Sequence, residues 1–299
     1  MGLKLIILYY LLTTDVSADS LPTVSDSLIH RVAKPITGRL WTVGATSLLT
    51  VGSSYAYLKR TWWNDKGVAF HLDEGRDLTY ASGLDKVAHL MGGIFVSEAY
   101  YSAFRWAGVS ARKSEWLALG SAVFVELGIE LKDAYSPTYG FSWRDVAAGS
   151  VGGLWPMAQR HSGFLRDTQW KVSYWQQTPK YFNERGIPVQ RVSIDDYINQ
   201  TYWFSFSPEH VGGQLWKRVW PDWLQLSVGM GLEADTWSSN HDGLGGRHEW
   251  YLAPDVNLIK LLKPRSTVAK VLIGVLKYIK IPAPTLQLGP KLRWHWLYF

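Results

Sequence analysis

FVELGIELKDAYSPTYGFSWRDVAAGSVGG, residues 124–153, decides the fold of this 299-residue chain. In its first half Glu126, Glu130 and Asp133 follow one another at i, i+4 and i+7, so a helix there carries three carboxylates along one stripe. YSPTYG then brings Pro and Gly together, the composition of a turn. In the second half Asp145, Gly149 and Gly152 repeat the spacing on a further helix. A charge inside an apolar helix must pair, bind a metal or change its protonation, because an unpartnered buried charge is very costly.

Working outward, GLDKVAHLMGG at 83–93 repeats the pattern once more with Asp85, His89 and Gly92. The periodicity predicts helices over 83–107, 112–134 and 143–159, separated by Gly108-Val109-Ser110 and by the YSPTYG turn. Gly92, Gly93, Gly149, Gly152 and Gly153, with Ala88 and Ala148, allow these helices to approach closely and bring the three polar stripes together. Residues 38–58 form a fourth helix. Its charge-free run from Leu40 to Leu58 stands at the lower limit for a membrane span, while its Gly, Ser and Thr content also suits packing within a protein.

From about residue 170 the texture changes to short alternating aromatic runs: WKVSYWQQ, TYWFSF, WLQLSVGMGLEA and the terminal PTLQLGPKLRWHWLYF. These are read as antiparallel strands, with Ser193–Gln200 as a short helix and SSNHDGLGG (238–246) as a hairpin loop. Between 266 and 281, Val268, Val271, Leu272, Val275, Leu276 and Ile279 recur at helical spacing, with Lys270 and Lys277 on the other side, the signature of an amphipathic helix. The expected fold class is α+β: a bundle of about four helices followed by a small, aromatic-rich antiparallel β region. The expected divisions are 1–18, 19–160 and 161–299.

The chain opens with Lys4, an apolar run from Leu5 to Leu12 and the small residues Val16-Ser17-Ala18, the pattern of a secretory signal peptide cleaved after Ala18. The expected location is therefore the periplasm or outer membrane, with inner-membrane anchoring through residues 38–58 as the alternative. There is no cysteine, which excludes disulfides and thiolate metal sites. Seventeen Trp and sixteen Tyr suit a membrane interface as well as a core. The net charge of +6 is exceeded by residues 256–299 alone, which hold eight basic residues and no acidic one. With no nucleic-acid motif present, the expected partner is a membrane surface or anionic envelope lipid.

The candidate catalytic residues are His89, Glu126, Glu130 and Asp145, with His89 as base or ligand among the carboxylates. Asp85, Lys86, Lys132, Asp133 and Arg144 form the surrounding network. Ser82-x-x-Asp85 and Ser142-x-x-Asp145 also read as capping boxes, which gives both aspartates a structural role. Lys86, Lys132 and Arg144 are available to neutralise the carboxylates. The cluster is thus open to three readings: a structural polar network, a catalytic or ligand-binding site, or a metal site. There is no His-Glu-x-x-His, Gly-x-Ser-x-Gly or phosphate loop, so the sequence names no metal or cofactor.

DKVAH at 85–89, ELGIELKD at 126–133 and YGFSWRDVAAGSVGG at 139–153 resemble the YfiM-like family of predicted periplasmic lipoproteins in the order and spacing of their polar stations. More distantly they resemble the VanZ-like membrane proteins linked to glycopeptide resistance. The resemblance implies an envelope location and a helical, membrane-associated architecture, and it implies no activity. This sequence departs from the lipoprotein pattern by lacking the lipid-bearing cysteine. The expected function is an exported, membrane-associated envelope protein that binds a lipid or glycan head group. The alternatives are an acid–base or metal-assisted hydrolase of envelope lipids or cell-wall precursors, and a purely structural envelope protein.

Overall fold

The computed structural model describes residues 35–63, 65–73, 75, 79–184, 188–189, 193–210, 219–233 and 246–299. The expected signal peptide, and His241 with most of its loop, lie outside them. The chain divides into two compact units, one built on the chain up to Asp73, His89–Met157 and Ser266–Val271, the other on Glu74–Ala88, Ala158–Arg265 and Leu272–Phe299.

Four long helices occur where the periodicity predicts them: α1 (Thr37–Thr61), α2 (Leu84–Trp106), α3 (Ala111–Asp133) and α4 (Trp143–His161). In the helical unit Val43 of α1 packs on Ala99 and Ala103 of α2 and on Ala107, so small residues set the contact. Arg39 closes that corner, donating to the Trp106 carbonyl at 2.9 Å with its guanidinium 5.0 Å from the centre of the Trp106 ring. No helix among the described residues is long and apolar enough to cross a membrane. The stretch 38–58 is a helix, as its pattern predicts.

Helix α3 encloses its carboxylates and turns large apolar side chains outward. On α3 the buried face carries Ala118, Ala122, Glu126 and Glu130, whereas Leu117, Phe124, Leu127 and Leu131 face outward. That is the reverse of a soluble amphipathic helix.

The second unit holds a six-stranded antiparallel sheet in simple sequential order: β1 (Gln169–Tyr174), β2 (Gln200–Phe206), β3 (Leu224–Leu232), β4 (His248–Val256), β5 (Ala283–Gly289) and β6 (Arg293–Tyr298). Among the described residues three short helices accompany these elements: α5 (Lys180–Glu184), α6 (Leu258–Leu262) and α7 (Thr267–Leu276). Strand β4 has no counterpart in the sequence reading, because its Pro254 argues against a strand interior. Pro254 is exposed and sits opposite Leu226, with Ala253 and Asp255 buried on either side of it.

Ser193–Gln200 is not the expected short helix. Only a single tight turn forms at Tyr197–Asn199, and Gln200 already begins β2. Side chains take over the backbone here. Gln200 donates to the Ser193 and Ile194 carbonyls, and Asn199 to the Thr178 carbonyl and to Asp196.

The alternation of the sheet is also reversed. Lys171, Ser205, Gln225, Ser227, Asp255 and Gln287 are buried, while Val228, Trp250, Leu252, Leu288, Trp294 and Trp296 are exposed. At its centre Asp255 accepts from Lys171 Nζ at 2.8 Å and from the Ser205 hydroxyl at 2.5 Å, and Lys280 Nζ lies 3.6 Å away. Both lysines also donate to backbone carbonyls: Lys171 to Val256, and Lys280 to Pro254 and Ile281. Burial opposes the charge of Asp255, but the two ammonium groups outweigh it and hold the carboxyl below its ordinary value.

This triad corrects the reading of the C-terminal basic residues as one surface. Lys280 is interior, and Lys260 is engaged with Asp167 at 2.9 Å and Glu209 at 3.7 Å. It also accounts for the helix of 266–281 stopping at Leu276. Residue 280 pairs with β1, its N–H donating to the Val172 carbonyl at 3.0 Å, which delivers its side chain to Asp255.

Replacing Asp255 with Ala leaves two buried ammonium groups without their counter-charge. We expect a loss of about 3–5 kcal/mol, measured by denaturant unfolding. Exposed Arg265→Ala is the control, expected to change stability by less than about 0.5 kcal/mol.

Candidate functional site

The three polar stripes meet within the helical unit. His89 projects from α2, Glu126 and Glu130 from successive turns of α3, and Asp145 from the first turn of α4. His89 Nδ1 is hydrogen-bonded to Glu126 Oε1, and its Nε2 lies 3.9 Å from Asp145 Oδ1. Glu130 Oε2 accepts from the backbone N–H of Ser142 at 2.9 Å, and the Ser142 hydroxyl accepts from the N–H of Asp145 at 3.1 Å. Ser142 therefore caps α4, as its sequence context predicts, and also aims Glu130. Nothing in the spacing announces that second role.

Glycine makes the meeting possible. A Cβ on Gly93 would overlap the Gly149 carbonyl, and one on Gly152 would overlap the Leu90 carbonyl, so α2 and α4 approach backbone to backbone. A Cβ on Gly149 would instead fall 2.5 Å from the Glu126 carboxyl carbon. The side chains of Glu126 and Asp145 are 5% and 10% exposed, whereas that of His89 is 20% exposed. The imidazole is thus the member of the cluster most open to the surroundings.

Two groups titrate far from their ordinary values. Burial by itself would lower the pKa of His89, but the hydrogen bond and charge of Glu126, with Asp145 and Glu130 behind it, raise it to about 9. Glu130 is pushed up to about 8, first by burial and then by the nearby Asp145 charge, with His89 and the Ser142 N–H opposing. At neutral pH the cluster thus holds an imidazolium and a protonated carboxyl, two groups able to donate a proton.

The surrounding network follows the sequence expectation at Lys86 and departs from it at Lys132. Lys86 pairs with Asp85 at 2.7 Å. Lys132 lies 5.9 Å from the centre of the Trp63 ring, and Asp133 accepts a hydrogen bond from that indole. Arg144 is exposed. The cation facing Glu126 is His89, not a lysine or an arginine. The Ser82–Asp85 capping box does not form: Ser82 has a left-handed backbone (φ 50°), and its hydroxyl donates to the Gly246 carbonyl at 3.3 Å.

Residues 73–157, which contain all four clustered residues, match the model of a family described as "Predicted periplasmic lipoprotein (DUF2279)". This supports a periplasmic, cell-envelope location. The more distant VanZ-like resemblance finds no support. No curated protein and no solved structure matches the chain. The thiol that bears the lipid in a lipoprotein has no counterpart among the 299 residues, which include no cysteine.

The raised pKa values fix the pH dependence of the helical unit. His89 titrates near 9 when folded against an ordinary 6.5. Its contribution is complete below about pH 6.5 and lost as the pH rises through 9. Glu130 titrates near 8 against 4.5, so its contribution too is lost with rising pH. In chelator-containing buffer the thermal midpoint should fall between pH 6.5 and 9, less steeply in Glu130→Gln; a rise over that interval would contradict the assignment. Gly152→Ala should cost roughly 1–3 kcal/mol by forcing two backbones apart, measured by denaturant unfolding.

Proposed function

We propose that this is a membrane-associated protein of the cell envelope whose sheet rests its outward face in the apolar layer of a lipid bilayer, with anionic head groups at its rim. The observation that carries this reading is the inverted sheet. Trp250, Leu252, Val228 and Trp296 stand outside while Lys171 and Asp255 are enclosed. Leaving apolar surface in water costs about 25 cal/mol per Å², and enclosing charges adds a desolvation cost. Polar inside and apolar outside is a favourable arrangement where the surroundings are hydrocarbon. Exposed Trp294 and Trp296 suit the interfacial zone. The exposed cations Lys291 and Arg293 flank Leu292 on the same turn and complement anionic lipid.

The His89–Glu126 pair favours a second reading for the helical unit, an acid–base hydrolase of an envelope lipid or wall precursor. His89 and Glu130 would supply protons to a leaving group, and Glu126 would hold the imidazole in place.

Vesicle flotation tests the membrane reading. The protein should float with phosphatidylglycerol-containing vesicles and less with phosphatidylcholine alone. Trp296→Asp and Leu292→Asp should each reduce the bound fraction by roughly tenfold or more. Wild-type protein that stays at the bottom of the gradient with both vesicle types would refute it.

A further inference from the structure

We propose that His89, Glu126 and Glu130 form a binding site for one divalent transition-metal ion of the zinc class. One ligand atom from each of the three residues lies within 4.8 Å of the other two. Metal–ligand bonds of about 2.0–2.2 Å require ligand atoms somewhat closer than that, so small side-chain movements complete the set without moving a helix. The backbone is already fixed. Glu126 and Glu130 stand one turn apart on the same buried face of α3, and the glycine contact sets α2 and α4 backbone to backbone.

The donor set is one imidazole nitrogen and two carboxylates, whose charge cancels that of a divalent ion. Imidazole favours zinc and its neighbours over magnesium or calcium. Three protein ligands leave a coordination position open, as in catalytic rather than structural zinc sites. Outer partners stand close by, Asp145 within a small side-chain movement of hydrogen-bond distance. With Nδ1 on the metal, His89 Nε2–H points to Asp145, now 3.9 Å away, the carboxylate that orients a metal-bound imidazole. Glu130 is held through its Oε2 by the Ser142 N–H.

This inference is independent of the membrane reading and revises the second one: on binding a metal, His89 and Glu130 release their protons and serve as ligands, so the metal takes the place of their proton donation. Without a metal the charges of Glu126 and Asp145 outweigh the single imidazolium, and the centre disfavours a phosphate or carboxylate head group. A bound cation reverses that sign and gives an anionic oxygen a position to occupy. The substrate class implied is an anionic head group, contacted through the metal.

Isothermal titration of chelator-stripped, full-length protein with Zn²⁺ tests the site, with metal analysis of the dialysed complex. A single equivalent should bind to the wild type and raise its thermal midpoint. Glu126→Gln and Glu130→Gln should fold, by circular dichroism, and lose that equivalent. Asp145→Asn should keep the stoichiometry and weaken binding by roughly 10–100-fold, which marks Asp145 as a positioning residue. Absence of binding to the wild type, or equal binding by both glutamine variants, overturns the site. Vesicle flotation of the same variants should be unchanged. Absence of metal binding by the wild type with flotation intact would therefore count against this proposal alone.

Discussion

A charge taken out of water has to find its counter-charge within the protein, and in both units this requirement sets the packing. In the sheet it draws Lys171 and Lys280 onto Asp255. In the bundle it draws His89 of one helix against carboxylates of two others. These pairings contribute specificity more than net stability, since desolvation offsets much of the Coulomb gain. They leave few alternatives. A register shift of one residue in β4 would turn Asp255 outward and strand two lysines.

The apolar residues follow from the same constraint. The interior positions taken by Glu126, Glu130, Asp255 and the lysines are closed to apolar side chains, so Phe124 on α3 and Trp296 on β6 are exposed, while Trp203, Tyr251 and Phe182 keep places in the interior. Each unit, taken by itself, is built the same way. The match of residues 73–157 to a family described as periplasmic supports an envelope location for a chain with such a surface.

Much of the helical unit was legible because its signals are local. The i, i+4, i+7 recurrence locates α2, α3 and α4, and Ser142 announces the start of α4. The order and partners of the charges were not legible. Lys132 and Arg144 stand beside the carboxylates in sequence, yet the helix carries them to other surroundings, and His89 from a different helix takes the place expected of them. In the sheet, β4 was hidden by Pro254, whose missing N–H argues against a strand, and Lys280 was hidden in a run of basic residues that reads as surface.

By itself the sequence determined the α+β class, the positions of the long helices, and the residues His89, Glu126, Glu130 and Asp145 as one candidate group, because periodicity and composition act over a few residues. Only the tertiary structure decided which charges meet, which face of each element is inside, and that Glu130 and His89 hold their protons at neutral pH. Those outcomes depend on distances between groups far apart in the chain and on removal from water, and neither is written in the spacing of residues along one helix or strand.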